Sequence, residues 1–145
     1  MPKISVEKKN PFTISSGKKG LLVGKWMANY LMPVPKLGHS NTFEKSLRRQ
    51  QHGIMDAANH LSAIRKKHGE HNLRAYLAEI EFHRRAMNYS EDYWKLLSEE
   101  KHRLKTNLLD AKIREAEKNF NFFATKKERL ERHLAEEGPE EERGW

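Results

Sequence analysis

From residue 41 onward, apolar side chains return at helical spacing, and no stretch alternates as a half-buried strand would. Leu47, Ile54 and Leu61 stand seven residues apart, with Ala57 and Ile64 in the alternate positions of that heptad and Gln50 and Gly53 weakening it. Asn41 is a suitable N-cap, and Glu44 follows at the capping-box position. The cations at Lys66–His68 and the glycine at 69 mark the other end. A second helix is expected from Asn72, with Leu73, Leu77, Ile80 and Met87 on its inner stripe and Tyr76 beside it; Arg84 blunts the pattern. Asn88, Tyr89 and Ser90 offer a boundary, Ser90 serving as the next N-cap ahead of Glu91 and Asp92.

A third helix is expected from Glu91 to Glu136. Trp94, Leu97, Leu104, Leu108 and Ala111 form one stripe; Leu109, Ile113, Ala116, Phe120, Phe123, Leu130 and Leu134 form another, slightly rotated. Such a phase change resembles a coiled-coil stutter. An unbroken helix of that length would reach roughly 70 Å, more than the width of a domain this size. Phe122 lies off both stripes and suggests a second contact surface. The expected fold is all-α: two or three long helices with coiled-coil-type stripes, hairpin-like around Gly69 or extended. The helix-packing residues are Leu47, Ile54, Leu61, Leu73, Leu77, Ile80, Trp94, Leu97, Leu104, Leu108, Phe120, Phe123 and Leu130.

The first 40 residues read differently. Pro2, Pro11, Pro33 and Pro35 together with Gly17, Gly20 and Gly24 break any regular pattern. Leu21, Leu22, Trp26, Met27, Tyr30 and Leu31 would share one face of a short helix stopped before Pro33. The chain therefore divides into an extended arm (1–40), a long-helix body (41–137) and an acidic C-terminal tail (138–145).

Charge sharpens this division. Residues 1–52 hold ten Lys or Arg against two acids, Glu7 and Glu44, while residues 53–145 hold eighteen of each sign, so the net +8 belongs to the first third. Apolar residues make up 37% of the chain and charged residues 33%. Typical domains are about 45–50% apolar, so a self-contained core is not expected and the stripes are expected to pack against partner molecules. Glu81–Arg85, Glu91–Lys95 and Glu128–Arg132 are i,i+4 pairs in the favourable order, suited to solvent-facing helix surfaces.

The arm's Lys3, Lys8, Lys9, Lys18, Lys19, Lys25 and Lys36, continued by Lys45, Arg48 and Arg49, are interleaved with Phe12, Trp26, Tyr30 and Phe43. Cations release condensed counterions from a polyanion, and aromatic rings accept unstacked bases or wedge between subunits. These ten cations are the candidate polyanion-binding residues, and the four aromatics the candidate anchors.

Other chemistry finds little support. The chain has no cysteine, so disulfides and thiol chemistry are excluded. No run approaches the roughly 20 apolar residues of a membrane span. Gly20-x-x-x-Gly24-Lys25 is one residue short of a P-loop, and Trp26 stands where Ser or Thr must bind magnesium. His68-Gly-Glu-His71 and the single Glu99-x-x-His102 lack the further ligands that a metal site needs. No nucleophile–base arrangement is visible, so no enzyme activity, metal or cofactor is expected.

The expected role is a non-catalytic subunit of a large assembly, partnered by protein subunits and by RNA, as an rRNA-binding accessory protein of a ribosome, specifically a mitochondrial one. The alternative is a cytoskeletal protein on an acidic filament such as a microtubule wall or a myosin rod. A third reading is an accessory subunit of a respiratory complex anchored by Leu21–Met32. The arm's preference for Lys over Arg argues mildly against RNA; the lack of an axial repeat argues mildly against filaments. The expected location is intracellular, mitochondrial or cytoplasmic and cytoskeletal.

Overall fold

A computed structural model describes residues 5–6 and 31–136. Within them lie β1 (Ser5–Val6), β2 (Pro35–Lys36), α1 (Thr42–His68), α2 (Leu73–Leu104) and α3 (Asp110–Glu136). The two short strands form one antiparallel pairing, Ser5 opposite Lys36 and Val6 opposite Pro35. The all-α class holds; this small ladder is the one departure among the described residues.

The helix ends follow their cap residues. The Asn41 side-chain oxygen accepts from the Phe43 N–H at 2.8 Å and the Glu44 N–H at 3.3 Å, opening α1. Gly69 closes it at φ 85, a left-handed backbone that favours glycine, with its N–H on the Arg65 carbonyl. Asn72 then joins the two helices. Its oxygen accepts from the Ala75 N–H at 3.0 Å, while its amide donates to the carbonyls of His68 and Gly69 at 2.7 and 2.8 Å.

The helices run up, down and up, with α2 packed between the other two. Ser46 and Gln50 of α1 reach Asp92, Arg85 reaches the Gly53 carbonyl at 2.7 Å, and Arg65 meets Glu79. These contacts run in opposite chain directions. Across the other face, Lys101 pairs with Asp110, the His83 and Phe123 rings lie 6.0 Å apart, and Tyr76 meets His133 edge-on. Gln50 and Gly53, which weaken the heptad in sequence, thus provide polar contacts to α2.

Two expected boundaries are corrected. No break occurs at Asn88–Ser90, which lies inside α2. Tyr89 is buried, and the Ser90 hydroxyl donates to the Ala86 carbonyl at 3.0 Å, so it bonds back along a continuous helix instead of capping a new one. The single long helix from 91 to 136 is instead interrupted at residues 105–109. Lys105 takes the left-handed conformation (φ 49, ψ 50), and its N–H bonds the carbonyls of His102 and Lys101. The Thr106 hydroxyl accepts from the Leu108 N–H, and Lys101–Asp110 clasps the turn at 2.6 Å. The rotated stripe is therefore the imprint of a helix that folds back onto α2.

The core closes within the chain, contrary to the expectation from composition. Leu47, Ile54 and Leu61 of α1, Phe82, Tyr89, Tyr93, Leu96 and Leu97 of α2, and Ala116 and Phe123 of α3 belong to one buried cluster. Leu73, Ile80, Leu104, Phe120 and Leu130 are half-buried. Leu77, Trp94 and Leu108 do not pack inward: they are 51%, 40% and 66% exposed. The buried face of α2 carries Ala75, Ala78 and Ala86 instead, small residues that let neighbouring helices approach closely.

The end of the stretch read as an arm also joins the core. Leu31 and Val34 are fully buried. The Tyr89 hydroxyl donates to the Met32 carbonyl and the Tyr93 hydroxyl to the Pro33 carbonyl, the latter at 2.8 Å. Burial, with the Glu115 charge, pushes the Tyr93 phenol well above its usual range.

Candidate polyanion interface

Basic charge in the helical body is concentrated on α1. That helix has six Lys or Arg and two acids, whereas α2 has six of each, and α3 has seven cations and six acids. The α1 inner face is taken by Leu47, Ile54, Ala57, Ala58 and Leu61, which fixes the opposite face toward solvent. Lys45, Arg49, His52, Asp56, His60, Lys66 and Lys67 are exposed there. From Lys45 to Lys67 this strip spans about 33 Å at 1.5 Å per residue. Asp56 is its one acid among the described residues.

Of the cations expected to bind a polyanion, Lys36, Lys45 and Arg49 are exposed. Arg48 is half-buried and pairs with Glu44 at 3.3 Å, a partner one helical turn back. Lys3, Lys8, Lys9, Lys18, Lys19 and Lys25 lie outside the described residues, as do the aromatics Phe12, Trp26 and Tyr30. Phe43 is described; it packs half-buried against the core.

Sequence reasoning missed His52, His60, Lys66 and Lys67 as members of this surface. Lys66 and Lys67 look like ordinary helix-end cations. Their spacing from Lys45 and Arg49 along the polar face was the available signal.

A buried carboxylate fixes the N-terminal end of this strip. Glu100 is 1% exposed. One oxygen meets the His39 Nε2 at 2.8 Å and the Asn41 amide at 3.4 Å; the other accepts from Arg103 Nε and Nη2 at 3.0 and 2.8 Å. Burial alone would raise its pKa, but the bonds from Arg103 and His39 outweigh burial and hold it below the usual 4.5. The segment entering α1 is thereby clamped to the far end of α2.

A second node ties α1 to α2 near the other end. Arg65 Nη2 lies 3.1 Å from Glu79, whose second oxygen faces the buried His83 Nε2 at 3.5 Å. Burial again opposes the charged Glu79, and His83 and Arg65 together lower its pKa. Farther out, the Arg84 hydrogen bond, aided by Arg85, brings Glu81 down to about 2. These pairs occupy Arg65, Arg84 and Arg85 with internal partners and leave Lys45, Arg49, Lys66 and Lys67 as the outward cations of the α1 strip.

Among the described residues, no group of three or more His, Asp or Glu could hold a metal ion, and no helix is long and apolar enough to cross a membrane. His68 and His71 turn instead to Arg74 and Tyr76. The chain matches no protein-family model, no curated protein and no solved structure.

Proposed function

We propose that this protein is a non-catalytic assembly subunit that docks on RNA through its basic first third, as an accessory protein of a ribonucleoprotein particle, specifically a mitochondrial ribosome. The supporting observation is the solvent-facing strip of α1. It carries Lys45, Arg49, Lys66 and Lys67 on a rigid helix whose register is set by the core and by the Glu100 and Glu79 nodes. Rigid spacing lets several cations meet successive phosphates without each being ordered separately. The lysines of residues 1–36 add to the same charge.

The test is filter binding of the full chain to structured RNA across a salt series. Changing Lys45, Arg49, Lys66 and Lys67 together to Gln should flatten the slope of log K against log salt by about 3, at roughly 0.7–0.9 for each phosphate no longer neutralised. An unchanged slope, or sedimentation with microtubules in place of RNA, overturns the reading.

A further inference from the structure

The face of the molecule formed by α2 and α3 carries a cleft of a different character. It is lined by Glu91 and Trp94 of α2 and by Glu117 and Phe120 of α3, with a volume of about 290 Å³. Trp94 is 40% exposed, a large aromatic that the adjoining core leaves outside. Phe120 is half-buried opposite it, and Glu117 is exposed at the rim. Small-molecule pockets run from about 300 to 1,000 Å³, so this cleft stands at the small end of that range and has room for a side chain.

Its chemistry selects a cation. Aromatic rings attract ammonium and guanidinium groups to their faces, and here two aromatic residues and two carboxylates from different helices line one cleft. The rim already holds one ammonium: Lys95 Nζ lies 3.1 Å from Glu91. That pair is nearly half exposed on both sides, and such pairs contribute little and exchange readily. Glu117 is opposed by no described cation.

We infer that this cleft is a docking site for a Lys or Arg side chain presented by a basic segment of a partner protein. The chain as a whole carries +8, so bulk electrostatics repel such a segment. Capture must come from the local carboxylates and rings. The site lies on the α2–α3 side, so a partner held there would leave the outward strip of α1 open. The inference does not depend on RNA binding.

The test follows the Trp94 indole N–H by NMR in the full chain, assigned with W94F, during titration with a blocked Gly-Ser-Arg-Ser-Gly peptide. The Arg peptide should move this signal saturably, and a Gln-substituted peptide should not. Glu117→Gln and Phe120→Leu should each weaken the response by about fivefold. Both positions are exposed or half-buried, and circular dichroism checks that each variant keeps its helices. Equal responses to the Arg and Gln peptides, or wild-type affinity in both variants, overturn the inference. Self-association of the chain that disappears in Trp94→Ala would assign the cleft to a second copy and overturn it as well.

Discussion

Replacing Glu100 with Gln isolates the electrostatic part of the clamp at the start of α1. The side chains are nearly the same size, so packing is kept. The carboxylate accepts from Asn41 on one oxygen, with the His39 ring nitrogen 2.8 Å away, and twice from Arg103 on the other. An amide accepts on one side only, and its NH₂ then faces a donor. Hydrogen bonds to charged groups contribute about 1.5–3 kcal/mol each. Arg103 is 50% exposed and His39 34%, so both can turn to water, and the net loss should be about 2 kcal/mol at pH 7. The pH dependence supplies the sharper check. The folded-state pKa of Glu100 is lowered, so its stabilisation is complete above the ordinary value of 4.5 and is lost as pH falls through the folded value. Urea unfolding of wild type and Glu100→Gln should therefore differ at pH 7, and the gap should narrow as pH falls below 4.5. Equal stability at pH 7, or a gap that widens toward acid, would refute the clamp.

Other substitutions probe the turns and the close-packed faces. Asn72→Ala removes the cap of α2 and the bonds to the end of α1, and should cost about 1–2 kcal/mol in denaturant unfolding. Lys105→Gly should raise stability by about 0.5–1 kcal/mol, because a left-handed residue with a side chain is strained by roughly 1–2 kcal/mol and glycine returns part of that gain in unfolded-state entropy. Ala86→Leu puts a large side chain where α2 is fully buried and should destabilise by about 1–3 kcal/mol, read as a lower melting temperature.

The caps were the most legible part of the sequence. Asn41, Gly69 and Asn72 act through their own backbone and side chains within a few residues, so local reading suffices. The turn at Lys105 was hidden because no glycine or proline marks it; its trace was the shift between the Leu104 and Leu109 stripes, which suits a stutter as well as a reversal. The inner face of α2 escapes a reading that equates bulk with burial. Ala75, Ala78 and Ala86 are buried there while Leu77 and Trp94 face out. A helix packed on two sides has no single stripe, and small residues mark where its neighbours come close. The α1 strip was half legible. Lys45, Arg48 and Arg49 stood out as a cluster, but only the three-dimensional register separates Arg48, paired with Glu44, from outward-facing Lys66 and Lys67.

The closed core changes what a partner has to supply. Helices with unpartnered stripes would spend binding energy on folding, since ordering each residue costs about 1–2 kcal/mol in backbone entropy. Here α2 is covered by α1 on one face and by α3 on the other, and Phe82, Tyr89, Tyr93, Leu96 and Phe123 are buried without a second molecule. The full chain alone should therefore unfold cooperatively, with circular dichroism and near-ultraviolet absorbance giving the same midpoint. Noncoincident transitions, or helicity that rises only when RNA is added, would show that the core needs a partner after all. If the transitions coincide, the α1 strip is preorganised before binding. Neutralising Lys45 and Arg49, which lie away from the C-terminal turn of α1, should then lower affinity without lowering the melting temperature, a separation that a strip folding only on its partner would not give.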